Sequence, residues 1–238
     1  MRPEAVFLDL DGVINDGASL SVEYPRLMGD VLAPALGGAP GDWGRANAET
    51  YPHLVEDVLA MQGTREAIER FELSESVSRM CAWLGIELPG EVECFRLGRE
   101  MNLYVRANGR FVLDGAADAI RILAEEFQLH TATGNASWTT RVNLDRIGVS
   151  HLFGVLCGPD LIGASKWHDL DFYARLFDAA GVEPDRAVVV DDNAEMLARA
   201  RATGARTVQV HDGSGDVDGD ADLVVASIVD VPGRIRRL

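Results

Sequence analysis

Short runs of apolar residues, three to six residues long, open the sequence and recur throughout its second half. Their length and their content of β-branched residues are typical of buried strands. The predicted strands are Ala5–Leu8, Gln128–Thr133, Gly154–Cys157, Arg186–Val190, Arg206–Val210 and Leu223–Val225. Helical patterns separate the later runs, so strand and helix alternate about every twenty residues. This alternation predicts an α/β fold in which helices cover both faces of a parallel sheet.

A different pattern separates the first predicted strand from the others. Residues 18–112 contain helical spacings of apolar positions and little strand pattern. The sequence therefore predicts two domains. An α/β core would comprise residues 1–17 and 113–238, and an all-α domain of residues 18–112 would be inserted into it.

Local signals within the all-α segment indicate where its helices begin and end. We expect a helix over Leu20–Leu36 that is interrupted at Pro25, and a further break or start at Pro52, because proline disrupts a helix interior. Ser74 has the position of an N-cap for a helix that Gly85 ends. These signals predict several helices of moderate length.

Composition is that of an ordinary globular protein, with 47% apolar and 25% charged residues among 238. No apolar run approaches the roughly 18 residues that a membrane-spanning helix needs. The first predicted strand begins too early to leave room for a signal peptide. The three cysteines lack metal-type spacing, so we expect buried free thiols in a reducing compartment. Together these features predict a cytoplasmic protein.

The net charge of −16 argues against one class of partner. A strongly acidic protein repels nucleic acids and acidic membranes at long range, because both are polyanions. Small anionic substrates are compatible with this charge, since a local metal ion and backbone N–H groups can hold them. We therefore expect a small-molecule substrate and no nucleic-acid or membrane partner, and the oligomeric state is left open.

Residues with catalytic potential occur where predicted strands end. Ligands of open parallel sheets bind beyond the carboxyl ends of the strands, so such residues should converge on one edge. The groups are Asp9 and Asp11 after the first strand, Thr133-Gly134-Asn135 after the second, Lys166 in a later loop, and Asp191-Asp192 after the strand that ends at Val190.

The chemistry of these groups is complementary. A carboxylate such as Asp9 can attack phosphorus and form an aspartyl-phosphate, while Asp11 can protonate the leaving oxygen and later activate water. Mg²⁺ prefers oxygen ligands, which Asp9 and the Asp191-Asp192 pair can supply. The Thr133 hydroxyl, backbone N–H groups and the Lys166 ammonium can hold phosphate oxygens.

Each group also has an ordinary structural explanation when it is considered alone. Asp and Gly are common in turns after strands, Thr133 can be a turn residue or a cap, and most lysines are solvated. The Asp191-Asp192 pair can cap the following helix. The functional interpretation depends on all four groups occurring in this order.

Taken together, the groups resemble the four ordered motifs of the haloacid dehalogenase (HAD) superfamily of hydrolases. The resemblance covers the whole chain and implies a Rossmann-like core with a mobile helical cap of the C1 type, located where the all-α segment is inserted. One position departs from the pattern, because Trp167 follows Lys166 where the family commonly has proline. The matching segments are Asp9-Leu10-Asp11-Gly12-Val13, Thr133-Gly134-Asn135, Lys166 and Val188-Val189-Val190-Asp191-Asp192.

The resemblance implies a role for each matching residue. Asp9 would be the nucleophile and a metal ligand, and Asp11 the general acid/base, with its backbone carbonyl on Mg²⁺. The Thr133-Gly134-Asn135 segment would bind phosphate, and Lys166 would steady both the nucleophile and the phosphate. In the Asp191-Asp192 pair, Asp192 would ligate the metal and Asp191 would do so directly or through water.

Asp11 distinguishes activities within the family. Haloacid dehalogenases typically lack an acid two residues after the nucleophile, whereas phosphatases and phosphomutases have one. The resemblance therefore implies a Mg²⁺-dependent phosphatase that acts on a small phosphorylated metabolite. The alternatives are a phosphomutase or a haloacid dehalogenase on the same scaffold, and a non-enzymatic phosphoacceptor or binding protein.

Overall fold

The computed structural model describes residues 2–213 and 215–238, which divide into two compact units. The α/β unit combines the chain up to Gly17 with Val112–Leu238. The helical unit is Ala18–Phe111. The α/β unit is therefore discontinuous in sequence, and the helical unit is inserted after its first strand.

The strands of the α/β unit are β1 (Ala5–Leu8), β2 (Gln128–Thr131), β3 (Phe153–Val155), β4 (Ala187–Asp191), β5 (Arg206–Val210) and β6 (Leu223–Val225). Among the described residues they form one six-stranded sheet in the order β3-β2-β1-β4-β5-β6, and every neighbouring pair is parallel. This is the strand order of a Rossmann fold, in which the topology reverses beside the first strand. The predicted α/β fold with a parallel sheet is confirmed.

Helices α1 to α4 belong to the helical unit and α5 to α10 to the α/β unit. Their bounds are α1 Gly17–Leu36, α2 Pro40–Ala60, α3 Arg65–Leu84, α4 Glu91–Asn108, α5 Ala116–Ala124, α6 Ser137–Arg146, α7 Pro159–Ile162, α8 Phe172–Ala180, α9 Ala194–Ala202 and α10 Val231–Arg234.

Strand β1 lies at the centre of the sheet, and all four of its residues are fully buried. Its side chains alternate between two hydrophobic layers. Val6 and Leu8 pack in the layer that includes residues of α5 and α6, whereas Ala5 and Phe7 pack in the layer that includes residues of α8 and α9. A strand buried on both faces has no polar alternation, which is why β1 appears in the sequence as a continuous apolar run.

The helical unit corrects two predicted interruptions. Helix α1 continues through Pro25, and α2 continues through Pro52. The backbones of α1 and α2 approach closely, since a Cβ on Gly29 would lie 2.1 Å from the carbonyl oxygen of Pro40, and one on Gly44 would lie 2.8 Å from that of Pro25. Tertiary packing of this kind outweighs the local cost of a proline.

The predicted cap at Ser74 is also wrong. Ser74 lies in the middle of α3, where its hydroxyl donates a hydrogen bond to the Arg70 carbonyl oxygen at 2.7 Å. The N-cap of α3 is Thr64, whose hydroxyl oxygen accepts from the Ala67 N–H at 3.2 Å. The end of the helix is as predicted, with Gly85 in the left-handed conformation at a φ of +67°.

The cysteines are free and buried, which confirms the prediction that they are unpaired thiols. Burial raises the pKa of Cys81 and that of Cys157 to about 11, so both remain protonated at neutral pH. In the described part of the chain, no helix is both long enough and apolar enough to cross a membrane.

Candidate active site

The register of the sheet brings the first and the last of the candidate groups together. Leu8 of β1 pairs with Thr131 of β2 on one side and with Val190 of β4 on the other. The residues that follow these pairs therefore lie at the same height along the sheet. Asp9 consequently stands beside Asp191, and its N–H donates to the Val190 carbonyl oxygen at 3.0 Å.

Asp9 is almost fully buried, with 7% of its surface exposed. One oxygen of its carboxylate, Oδ1, accepts a hydrogen bond from the Leu10 N–H at 2.8 Å. The other, Oδ2, accepts from Lys166 Nζ at 2.7 Å. Two donors thus hold the carboxylate in one orientation at the carboxyl end of the central strand.

Lys166 joins two buried carboxylates. Its side chain is fully buried, and Nζ lies 2.7 Å from Asp9 Oδ2 and 2.7 Å from Asp191 Oδ2. Neighbouring elements fix its backbone, because Arg199 of α9 donates to the carbonyl oxygen of Lys166 at 3.4 Å and to that of Trp167 at 3.2 Å. Lys166 is also the single lysine of the sequence, whose other basic residues are arginines and histidines.

Burial and charge act in opposite directions on this group. Burial raises the pKa of Asp9 and of Asp191, while the Lys166 ammonium lowers both. Burial disfavours the charged form of Lys166, but the Asp191 and Asp9 carboxylates outweigh it and raise the lysine pKa above its ordinary value. The lysine is therefore cationic at neutral pH and is shared between the two acids.

Asp9, Asp191 and Asp192 form a cluster that can hold a metal ion. One carboxylate oxygen of each lies within 4.8 Å of the others. Asp192 reaches this position because Gly12 has no side chain. A Cβ on Gly12 would lie 2.3 Å from Asp192 Cγ, and the φ of +88° at Gly12 also favours glycine.

The donor set of this cluster fits Mg²⁺. All three ligands are carboxylates, and Mg²⁺ prefers oxygen donors, with only one or two carboxylates needed beside water and phosphate oxygens. Lys166 neutralises only part of the negative charge that the described residues concentrate here. A divalent cation would offset the rest, so the residues present suit this metal.

The Asp11 carboxylate is held by side-chain amides. Asn15 donates to its Oδ1 at 2.8 Å, and Asn135 donates to its Oδ2 at 2.9 Å. Asn15 is itself fixed by Asn143 of α6, whose amide donates to Asn15 Oδ1 at 3.0 Å. Asn15 and Asn143 are fully buried, so they form a rigid support behind Asp11.

Thr133 shares this amide network. Its buried hydroxyl oxygen accepts from the Asn135 backbone N–H at 3.2 Å and from the Asn135 side-chain amide at 3.1 Å. Because both acceptor positions of the oxygen are occupied, the hydroxyl hydrogen is left to donate to a ligand. The structure thus links the Asp11 carboxylate to the segment that was predicted to bind phosphate.

A comparison with known protein families agrees with the site geometry. A family model described as haloacid dehalogenase-like hydrolase matches residues 3–204. The chain belongs to this family. The predicted resemblance to HAD hydrolases is therefore confirmed. A separate search found no curated protein with significant sequence similarity to the chain.

Solved structures of other HAD hydrolases have a similar fold. The HAD hydrolase YfnB from Bacillus subtilis, bound to magnesium, has 15% identity over 99% of both chains and a TM-score of 0.71. A 2-haloacid dehalogenase from Pseudomonas syringae has 22% identity over 99% of both chains and a TM-score of 0.70. CbbY from Rhodobacter sphaeroides, in complex with phosphate, has 19% identity over 96% of both chains and a TM-score of 0.63. At these identities the similarity shows the fold alone.

In this HAD hydrolase the predicted site residues fall into two connected groups. The first contains Asp9, Lys166 and the Asp191-Asp192 pair. Lys166 joins Asp9 to Asp191, and Asp192 belongs to the same carboxylate cluster. The second contains Asp11 and the Thr133-Gly134-Asn135 segment, joined by the Asn135 amide. Both lie where the sheet strands end, so the structure brings all the predicted residues to one edge.

The sequence did not reveal the residues that support the site. Asn15 and Asn143 belong to none of the four motifs. Gln209 is a third example, because its fully buried amide donates to the Asp192 carbonyl oxygen at 3.1 Å and to that of Asp216 at 2.7 Å. The signal that could have found Gln209 is its polar side chain between Val208 and Val210, in the buried part of β5.

Proposed function

We propose that this HAD hydrolase is a Mg²⁺-dependent phosphatase that hydrolyses a small phosphorylated metabolite through an aspartyl-phosphate on Asp9. The observation that carries the proposal is the cluster of Asp9, Asp191 and Asp192, whose carboxylate oxygens lie within 4.8 Å of one another. A nucleophile that belongs to a cation-binding cluster suits an anionic substrate, since the cation offsets the repulsion between the two.

The first half of the reaction forms the phosphoenzyme. A carboxylate oxygen of Asp9 attacks phosphorus, and the bond between phosphorus and the leaving oxygen breaks. The Lys166 ammonium keeps Asp9 oriented through its 2.7 Å contact with Oδ2. Asp11, in its protonated form, gives its proton to the leaving oxygen. The Thr133 hydroxyl donates to a phosphoryl oxygen.

The second half releases phosphate. Asp11 is now a carboxylate and accepts a proton from the water that attacks phosphorus, which regenerates Asp9. The amides of Asn15 and Asn135 hold the Asp11 carboxylate for this step. Mg²⁺, when bound by the carboxylate cluster, supplies positive charge toward the phosphoryl oxygens.

We further propose that the helical unit, Ala18–Phe111, serves as the cap domain that selects the substrate, and that the protein acts in the cytoplasm. The partner that these proposals require is a small phosphorylated molecule. Neither a nucleic acid nor a membrane surface suits the net charge of −16.

The proposal is tested with p-nitrophenyl phosphate and Mg²⁺. We expect turnover by the wild type, and Asp9→Asn should reduce it at least about a thousandfold, because the amide cannot act as the nucleophile. Asp11→Asn should lose turnover but keep phosphate affinity. Asp178→Asn is a matched control at an exposed position of α8, and it should retain full activity. Turnover without metal, or full activity in Asp9→Asn, would contradict the mechanism.

Haloacid dehalogenation is the second candidate. It is favoured by the pairing of a buried nucleophilic carboxylate with Lys166 and by the similar fold of several haloacid dehalogenases. Chloride release from 2-chloropropionate measures it directly. This activity should survive Asp11→Asn, because the reaction needs no acid two residues after the nucleophile. A dehalogenase would therefore show the opposite response to the same variant.

A further inference from the structure

Trp167 occupies a distinctive position next to the candidate site. Its indole Nε1 lies 2.8 Å from the point where a Cβ on Gly134 would be, so the ring edge rests against this glycine. Lys166 Nζ, which contacts Asp9, lies 5.7 Å from the centroid of the same ring. The indole thus adjoins both the nucleophile pair and the segment that contains Thr133.

The backbone of Trp167 is anchored on both sides. Its N–H donates to the Ser165 hydroxyl oxygen at 3.3 Å, and its carbonyl oxygen accepts from Arg199 at 3.2 Å. The backbone is therefore fixed, the ring edge rests against Gly134, and 50% of the residue surface is accessible. It is positioned for contact with a ligand without needing a movement of the chain.

The indole N–H has no hydrogen-bond partner among the described residues. The buried Trp43 shows the usual arrangement, because its indole N–H donates to the Gly37 carbonyl oxygen at 3.0 Å. An indole N–H is a donor only, so a group that contacts Nε1 of Trp167 must offer an acceptor oxygen or nitrogen. An oxygen atom of a bound ligand can meet this need.

The charge of the site makes such a donor useful. Asp9, Asp11 and the Asp191-Asp192 pair all repel an anion, and Lys166 is already shared by two carboxylates. A phosphoryl group has several oxygens to be satisfied, and neutral donors bind them without adding charge. The Thr133 hydroxyl is one such donor, and the Trp167 indole lies beside the same segment.

We propose that the Trp167 indole N–H donates a hydrogen bond to a phosphoryl oxygen of the substrate, next to Gly134. The proposal rests on the proposed phosphatase function. It makes Trp167 a binding residue that acts equally on bound phosphate and on the transferring group, and not an acid, a base or a nucleophile. Its loss therefore weakens binding and leaves the chemical step in place.

The test compares Trp167→Phe with the wild type, because phenylalanine keeps an aromatic ring and removes only the N–H donor and part of the ring. The affinity for inorganic phosphate is measured by isothermal titration calorimetry with Mg²⁺ present. We expect about tenfold weaker binding, which is the lower end of the range for a hydrogen bond to a charged group, because Trp167 is half-exposed. With p-nitrophenyl phosphate, KM should rise by a similar factor while kcat changes less than about twofold.

Trp83→Phe is a matched control. Trp83 belongs to the helical unit and is 49% exposed, which is nearly the exposure of Trp167. It should leave the affinity for inorganic phosphate unchanged. Equal phosphate affinity in Trp167→Phe and the wild type would overturn the proposal while leaving the phosphatase function intact. Failure of the wild type itself to bind phosphate or to hydrolyse the ester would overturn both.

Discussion

Replacing Lys166 with methionine removes the cation that two buried carboxylates share. In the native protein Nζ lies 2.7 Å from both Asp9 and Asp191, and the three side chains are almost completely inaccessible. Methionine is similar in length to lysine but apolar, so the substitution leaves little cavity. The main consequence is that the two acids face each other without their common partner.

The expected loss of stability follows from burial. Removing one partner of a buried ion pair costs about 3–5 kcal/mol, because an unpaired buried charge remains. Burial already raises the pKa of both acids, so one of them can take up a proton and relieve part of this cost. We therefore expect the lower end, about 3 kcal/mol, which corresponds to a Tm lower by roughly 6–12 °C.

The pH dependence of this loss has a definite sign. Without the lysine, the folded-state pKa of each acid lies further above its unfolded value, so the folded variant binds more protons than the unfolded chain. Lowering the pH then stabilises the variant relative to the wild type. The Tm deficit of Lys166→Met should accordingly be larger at pH 8 than at pH 5.

Thermal unfolding followed by circular dichroism in EDTA measures the effect. Arg175→Met is the matched control, because it removes an exposed ion pair with Asp171, and both side chains are about half accessible. Such a pair contributes at most about 1 kcal/mol, so its Tm should change by less than about 4 °C. A Lys166→Met protein that melts with the control at pH 8 would refute the reasoning.

Two further substitutions test other features of the α/β unit. Gly12→Ala places a Cβ 2.3 Å from Asp192 Cγ, so the Mg²⁺ concentration for half-maximal activity should rise about tenfold or more. The control is Gly37→Ala, because Gly37 has a similar φ and a Cβ there would meet no atom within 4 Å. This control should leave the Mg²⁺ concentration for half-maximal activity unchanged. His130 is buried, and its Nδ1 accepts a hydrogen bond from the Val155 N–H at 3.2 Å. Burial lowers the pKa of His130, so the unfolded chain binds a proton more readily than the folded protein does. Folding stability should therefore fall as the pH drops below about 6.5. His130→Phe should remove this part of the pH dependence in urea unfolding at pH 7.5, 6.5 and 5.5, and an unchanged dependence would contradict the assignment.

The sheet and the candidate catalytic groups were predictable for one physical reason. A parallel strand that is buried on both faces appears as an apolar run, and polar residues that directly follow it lie at the ligand-binding edge. Asp9, Thr133 and Asp191 all follow or end such runs. Strand ends are less certain, since β2 stops at Thr131 and β4 includes Asp191, but these shifts move no candidate group away from the edge.

The helices of the helical unit were less predictable because their signals are not local. Pro25 and Pro52 indicate breaks when only neighbouring residues are considered. The continuity of α1 and α2 depends on contacts such as that between Gly44 and Pro25, which are 19 residues apart in the sequence. The predicted N-cap at Ser74 was wrong for a related reason. Ile68 is already buried as part of α3, so this helix begins before Ser74.

The supporting residues of the site lie outside the reach of motif analysis for a different reason. Asn143 is 128 residues from Asn15, and Gln209 is 17 residues from Asp192, so only the fold brings each pair together. These supports are neutral amides: Asn15 holds the Asp11 carboxylate, and Gln209 holds the backbone carbonyl of Asp192. The described site therefore fixes its carboxylates with hydrogen bonds and, apart from Lys166, without adding positive charge. Such an arrangement keeps the acids ordered and preserves their attraction for a cation. The proposed metal-dependent phosphatase needs this attraction, and the Gly12→Ala experiment measures it.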